Sequence, residues 1–152
     1  MTYRLERSTF IPRRRPEVFA FFADAHNLER ITPEFLRFRI LTPGSIEMRA
    51  GARIDYELRL YGVPVRWRTV IEEFDPDRSF VDVQLSGPYR SWRHWHSFED
   101  TGQGTTMHDR VDYEMPYGFA GSVARWLFVR AALDRIFDYR NTAIAEYFRE
   151  NG

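Results

Sequence analysis

The chain has 152 residues, the length of one globular domain, so we expect a single ligand-binding domain over residues 1–152. Its 22 basic and 22 acidic residues cancel, whereas nucleic-acid and membrane-surface binders usually carry a basic excess. Cysteine and lysine are both absent from the sequence, which excludes disulfides, Cys-ligated metals, Schiff bases and the P-loop lysine. No apolar run approaches the roughly 20 residues of a membrane helix, so a soluble, cytoplasmic protein without stable membrane insertion is expected.

The first part of the chain is predicted to form one strand and two short helices. Alternation over residues 3–11 indicates the strand. Pro16 suits the first turn of a helix, and Asn27 is a candidate N-cap for a second helix over residues 28–31, which Pro33 stops.

Between Phe35 and Met115 the pattern changes to the period of two that is typical of half-buried strands. Turn residues recur about every ten positions and the connections are short, which favours an antiparallel meander of about six strands. The predicted strands are 54–60, 63–71, 80–85, 91–100 and 105–115, with a turn at Tyr61-Gly62.

After Pro116 and Gly118 the apolar residues recur at steps of three and four, which predicts one long helix from about Phe119 to Phe148. An apolar stripe of that length must lie across the sheet. The stripe is formed by Phe119, Val123, Trp126, Leu127, Leu133, Phe137, Ile144 and Phe148.

Several short motifs carry a family resemblance. They are Pro16-Glu17-Val18-Phe19-Ala20-Phe21-Phe22, Glu72-Glu73-Phe74-Asp75-Pro76, Gly87-Pro88-Tyr89, Trp92-x-His94-x-His96-x-Phe98 and Asp109-Arg110-Val111-x-Tyr113-x-Met115-Pro116. With the order of elements, they resemble the START-like, birch-pollen-allergen-like (SRPBCC) superfamily, and most closely its bacterial polyketide cyclase/dehydrase and lipid-transport branch.

The resemblance implies an α+β helix-grip fold. In that fold a curved antiparallel sheet of about six to seven strands wraps around one long C-terminal helix, two short helices follow the first strand, and a cavity lies between sheet and helix. It says little about activity, because the superfamily includes lipid carriers, cyclases and hydrolases.

Strand parity places three polar side chains on the apolar, inward side of the sheet: His94, His96 and Asp109. If Gly102-Gln103 is a two-residue hairpin loop, the register follows. It pairs Phe98 with Met107, His96 with Asp109, His94 with Val111 and Trp92 with Tyr113. We therefore expect a hydrogen bond between His96 and Asp109 on the cavity side.

The leading hypothesis is binding or transport of an apolar small molecule such as a lipid, an isoprenoid quinone or an aromatic polyketide. The alternative is a cyclase- or dehydratase-type enzyme in which His96 is the acid/base and Asp109 orients it. A protein-interaction module is a second alternative, and a purely structural pair is the simplest interpretation of His96 and Asp109. The predicted ligand-binding residues are Trp67, Trp92, His94, His96, Asp109, Tyr113, Leu127 and Phe137.

No cofactor, metal or nucleic acid is expected, and the sequence identifies no protein partner. A metal site formed by His94, His96 and Asp109 is conceivable, since imidazole and carboxylate are metal ligands. Asp82 and Gln84 alternate with apolar residues, so either row of that strand can face inward. If their row does, Asp82 lies near His94.

Overall fold

A computed structural model describes residues 1–60, 62–115 and 123–151, with only the backbone at 124 and 125. Its strands are β1 (Thr2–Ile11), β2 (Arg39–Ile40), β3 (Arg53–Leu60), β4 (Val63–Asp75), β5 (Ser79–Ser86), β6 (Ser91–Asp100) and β7 (Thr105–Glu114). Its α-helices are α1 (Arg15–Phe22), α2 (Leu28–Ile31) and α3 (Val123–Glu150), and short 3-10 turns cover Ala25–Asn27 and Glu34–Leu36.

The seven strands form one antiparallel sheet in the order β1-β7-β6-β5-β4-β3-β2. The first strand therefore returns to pair with the last, and the other strands follow as a meander. Two register irregularities interrupt the pairing of β4 with β5, and such irregularities bend a strand. The helix-grip fold expected from the sequence is confirmed.

The short helices start and stop largely as predicted. Pro16 lies in the first turn of α1, and α2 has the predicted bounds. Asn27, however, does not cap α2. Its backbone is already helical, with φ −69° and ψ −16°, and its Nδ2 donates to the carbonyl of Phe21. Asp24 instead caps the 3-10 turn that precedes α2, because its carboxylate accepts from the backbone N–H of His26.

Helix α3 has 28 residues and is about 42 Å long. The predicted start at Phe119 lies outside the described residues, as does Tyr61 of the predicted turn. No helix within the described ranges has both the length and the apolar character needed to cross a membrane. The buried positions of α3 recur at steps of three and four: Val129, Leu133, Phe137, Arg140, Ile144 and Phe148.

At the N-terminal end of the predicted stripe, the prediction is wrong for Val123 and Leu127, whereas Trp126 packs against the core. Leu127 is 52% exposed and Val123 is 72% exposed. Leu127 is two residues from Val129, which places it about 200° away around the helix, on the side that faces away from the sheet.

The core has two apolar clusters. One surrounds α1 and the C-terminal half of α3, with Phe19, Phe98 and Ile144 among its members. The other surrounds the N-terminal half of α3, with Trp92 and Leu133 among its members. Along β5, β6, β7 and α3, polar residues occupy the positions between the two clusters. We call these residues the polar layer: Asp82, His94, His96, Asp109 and Arg140.

Candidate ligand-binding site

A tight hairpin between β6 and β7 sets the register of the site. The backbone N–H of Thr101 donates to the carbonyl of Gly104 at 3.0 Å, and Gly102 has a φ of +83°, which glycine adopts without strain. The two-residue loop is therefore confirmed. All four predicted pairs are present: Phe98 with Met107, His96 with Asp109, His94 with Val111, and Trp92 with Tyr113.

The predicted hydrogen bond between His96 and Asp109 is wrong, although the two residues are opposite each other. Asp109 Oδ1 is 2.7 Å from His94 Nε2 but 3.5 Å from His96 Nδ1. His96 Nε2 is instead 2.5 Å from Oδ2 of Asp82, on β5. Each imidazole thus reaches the carboxylate diagonal to it rather than the one directly opposite.

Ring stacking explains this diagonal arrangement. The ring of His96 stacks on Phe80 with centroids 4.1 Å apart, and on His94 with centroids 3.7 Å apart. The stacked rings lie between a carboxylate of β5 and one of β7, and diagonal cross-strand neighbours are within reach of long side chains. The sequence prediction placed Asp82 near His94 if its row faced inward, but did not consider Asp82 as an acceptor for His96.

Arg140 completes the polar layer and was missed by the sequence analysis. It is 6% exposed, and its Nη1 lies 2.7 Å from Asp109 Oδ2. The contact does not have hydrogen-bond angles, so Nη1 and Nη2 have no hydrogen-bond partner among the described residues. The sequence did contain a sign of this buried position. Arg140 stands three residues after Phe137 and four before Ile144, inside an otherwise apolar stripe.

The electrostatics of the layer favour ionised carboxylates and a neutral His96. Burial alone would raise the pKa of Asp109, but the Arg140 charge and the His94 hydrogen bond outweigh it and hold that pKa below its usual range. Burial is likewise outweighed at Asp82, where the hydrogen bond with His96 lowers the pKa. Burial and the neighbouring His94 lower the pKa of His96 to about 4.

A cavity of about 180 Å³ lies between the sheet and α3. Five predicted ligand-binding residues line it: Trp67, Trp92, His94, His96 and Phe137. Asp82 and Arg140 add polar groups to the wall.

Three predicted ligand-binding residues do not line this cavity. Asp109 is behind the wall, with 1% of its side chain exposed. Tyr113 is buried against Tyr3 and Tyr89, with ring centroids 5.8 Å from each. Leu127 is on the exposed side of α3.

The sequence left open whether Asp82 and Gln84 face inward, and their contacts in the structure answer this. Asp82 faces the cavity and is 3.9 Å from His94 Nδ1. Gln84 binds the loop between β5 and β6: its Nε2 donates to the carbonyl of Tyr89, and its Oε1 accepts from the Tyr89 N–H. Asp82 therefore belongs to the site, and Gln84 holds its adjacent loop.

The residues best placed to hold a metal are Asp82, His94 and His96. One ligand atom of each lies within 4.8 Å of the others. This set differs from the combination conceivable from the sequence, because Asp82 takes the place of Asp109. Asp109 instead accepts a hydrogen bond from one of the candidate ligands, His94.

Comparison with protein families agrees with this architecture. Residues 2–149 match the family model described as polyketide cyclase / dehydrase and lipid transport. The chain belongs to this family. No curated protein matches the sequence. The family resemblance drawn from the sequence is thus confirmed.

Solved structures show the same fold. TTHA0849 from Thermus thermophilus matches with a TM-score of 0.74 and 18% identity, over 100% of this chain and 99% of that one. The di-domain ARO/CYC StfQ from the steffimycin biosynthetic pathway matches with a TM-score of 0.72 and 16% identity, over 99% of this chain and 52% of StfQ. A nucleoside-diphosphate sugar epimerase from Corynebacterium glutamicum matches with a TM-score of 0.67 and 28% identity, over 93% of this chain but only 28% of the epimerase.

Proposed function

We propose that this protein binds a small, mainly apolar molecule in the cavity between its sheet and α3. The observation that carries the proposal is the composition of the wall. Most of the lining side chains are aliphatic or aromatic, and apart from Thr32 and Thr69 the polar ones belong to one cluster. An apolar pocket with a few convergent polar groups is the usual make-up of a ligand site.

The size of the cavity narrows the ligand class. An apolar cavity of about 150 Å³ holds a benzene molecule, and this one is of the same order at about 180 Å³. A ligand of one or two fused rings fits this space, whereas a two-chain lipid would need the wall to open. The apolar body of the ligand would lie against Trp67 and Trp92, and any polar substituent would lie against the polar layer.

Native mass spectrometry of untagged protein, purified without detergent, would show whether a molecule of this class is retained. Direct binding would be measured by calorimetry with 2-naphthalenemethanol, a neutral two-ring alcohol, in the presence of EDTA. We expect 1:1 binding in the cavity.

A matched pair of variants locates that binding. Leu133→Trp adds bulk at a cavity-lining position and should weaken binding at least tenfold. Leu127→Trp adds the same bulk at an exposed position of the same helix and should leave affinity unchanged. Absence of binding to the wild type, or equal affinity in the two variants, would contradict the proposal.

A second candidate is acid–base catalysis, with His94 rather than His96 as the acid/base. The hydrogen bond from His94 Nε2 to Asp109 favours it, because a carboxylate on one ring nitrogen orients the other nitrogen as a base. The cavity-lining position of His94 and a fold shared with the ARO/CYC protein StfQ also support this candidate.

Proton exchange at a ketone tests catalysis separately from binding. 2-Tetralone in deuterated buffer would exchange the hydrogens next to its carbonyl if His94 removes one as a base, and NMR would follow the loss of signal. Catalysis predicts that His94→Gln lowers the exchange rate about 100-fold or more with little change in affinity. His108→Gln removes an exposed imidazole and should change nothing. Binding without enhanced exchange would leave only the carrier function.

A further inference from the structure

Three side chains of the polar layer hold potential metal-ligand atoms close together beside the cavity. Asp82 Oδ2 is 2.5 Å from His96 Nε2 and 3.9 Å from His94 Nδ1, and one ligand atom of each residue lies within 4.8 Å of the others. Around a tetrahedral Zn²⁺ with bonds of about 2.0–2.1 Å, ligand atoms are about 3.3 Å apart. The observed separations of 2.5 and 3.9 Å lie on either side of that value, so the side chains must rotate to bind such an ion, and the two imidazoles must leave their stacked arrangement.

The remaining ring nitrogens converge on one carboxylate oxygen. His94 Nε2 is 2.7 Å from Asp109 Oδ1, and His96 Nδ1 is 3.5 Å from the same atom. The other oxygen of Asp109 is held by Arg140 at 2.7 Å. Metal-binding histidines usually donate their second nitrogen to a carboxylate or carbonyl, which fixes the ring and its tautomer. Asp109 is placed to serve both rings in this way.

One of these two converging nitrogens, that of His96, has no hydrogen-bond partner among the described residues. This nitrogen is Nδ1, and His96 is 4% exposed. A neutral imidazole that donates from Nε2 to Asp82 presents the Nδ1 lone pair to the anionic Asp109. A cation bound at Nε2 would move the proton to Nδ1, from which it can be donated to Asp109.

The polar layer also has more negatively than positively charged side chains. The polar layer contains two carboxylates, the part-buried Asp82 and the buried Asp109, and one guanidinium, that of Arg140, which contacts Asp109. A divalent cation between Asp82 and the imidazoles would give Asp82 a positive partner of its own, while Arg140 remains the partner of Asp109.

We propose that Asp82, His94 and His96 bind a first-row divalent cation, best matched by Zn²⁺, and that Asp109 and Arg140 orient the two imidazole ligands. Two imidazoles and a carboxylate suit this class of ion, whereas Mg²⁺ and Ca²⁺ prefer oxygen ligands. Three protein ligands leave the fourth position of a tetrahedral ion open, as in catalytic zinc sites. The cavity-lining positions of the three residues direct that position to the bound molecule.

Calorimetry with Zn²⁺ and absorption spectroscopy with Co²⁺, on EDTA-treated, untagged full-length protein, test the site. We expect one equivalent of Zn²⁺, and visible d–d absorption from Co²⁺ in a low-symmetry site. Asp82→Asn removes a ligand and should weaken Zn²⁺ binding more than Asp109→Asn, for which about a 10–100-fold loss is expected of an orienting residue.

His108→Gln is the control, since His108 is an exposed imidazole paired with Glu99 at 3.1 Å outside the polar layer. Its Zn²⁺ affinity should equal that of the wild type. Absence of Zn²⁺ binding, affinity retained in Asp82→Asn, or affinity lost in His108→Gln would each overturn the proposal.

A readout on the wild type keeps the test independent of variant folding. Imidazole NMR signals of His94 and His96 should shift on addition of one equivalent of Zn²⁺, while those of His26 and His108 stay in place. Shifts confined to His26 or His108 would overturn the site. Because 2-naphthalenemethanol binding is measured in EDTA, failure of the metal site and failure of the proposed ligand binding are distinguishable.

Discussion

At the scale of single residues, the polar layer is a set of mutually dependent charges. Asp109 accepts from His94 through one oxygen and pairs with Arg140 through the other. Arg140 is almost fully buried, and its guanidinium carbon lies 5.5 Å from the ring centroids of Phe22 and Phe137. Removing one member of such a set leaves its partner buried without a counter-charge, and that costs more than the pair itself contributes.

Asp109→Asn should therefore lower the free energy of unfolding by about 3–5 kcal/mol, because the Arg140 charge loses its buried partner. Urea denaturation would measure the loss. The double variant Asp109→Asn/Arg140→Met should recover much of it, since no unpaired charge remains. Additive effects of the two single substitutions would mean that the residues are not coupled.

The neutral, buried His96 predicts a pH dependence of stability. Its pKa is about 4 in the folded protein against an ordinary value of 6.5, so between these values the unfolded chain binds more protons. Stability should fall as the pH drops through this window, by at most about 3 kcal/mol. Asp82 and Asp109 have lowered pKa values, so they lose their contribution only below the ordinary carboxylate value of 3.8.

Denaturant unfolding of EDTA-treated protein, from about pH 7 to about pH 4.5, would measure this slope. His96→Gln keeps a donor for Asp82 but does not titrate, so its slope should be smaller. An unchanged slope in His96→Gln would show that another group is responsible.

At the scale of elements, the face of α3 that packs on the sheet is decided by contact and not by hydrophobicity alone. Leu133 is 4% exposed and lines the cavity, whereas Leu127 is 52% exposed. The two residues have the same side chain on the same helix. They differ in whether the sheet covers them.

Leu133→Ala should lower the free energy of unfolding by about 2–5 kcal/mol, because it removes buried methyl groups and enlarges the cavity. Leu127→Ala should change stability by about 0.5 kcal/mol or less, as is usual for surface positions. Equilibrium denaturation of the two variants makes the comparison. Equal losses would show that Leu127 is also packed.

At the scale of the whole molecule, the cavity and the polar layer lie where the two apolar clusters meet. The cavity wall includes Phe22 and Phe80 of one cluster and Trp67 and Leu133 of the other. A bound molecule would therefore contact both clusters at once. Any ligand that binds the folded chain and not the unfolded chain stabilises the fold as a whole.

At a free concentration 100 times its dissociation constant, 2-naphthalenemethanol should add about 2.7 kcal/mol to the stability of the wild type. For a chain of this length that raises the melting temperature by roughly 5–10 °C. Thermal unfolding followed by circular dichroism would measure the shift. The shift should be smaller in Leu133→Trp at the same ligand concentration, and an equal shift in that variant would place binding outside the cavity.

Patterns among residues close together in the sequence were enough to predict the order of the helices and strands and the register of β6 with β7. Alternation at period two identified the main strands, and proline marked the first and second helices. The Gly102-Gln103 loop is short enough that the pairing of β6 with β7 follows by counting, and this placed His96 opposite Asp109 correctly. These features depend on residues close together in the chain, so their pattern is visible without the fold.

The hydrogen bonds of the site depend on contacts between distant segments. Asp82 reaches His96 from β5, and Arg140 reaches Asp109 from a helix that follows β7. Stacking on Phe80 and the competing carboxylate of β5 turn His96 away from the residue directly opposite it. The sequence by itself determined that His94, His96 and Asp109 share the inward faces of β6 and β7, but it left the face of Asp82 open. Only the tertiary structure decided their partners, because a side chain on a packed face bonds the acceptor that packing brings nearest, and that acceptor can come from anywhere in the chain.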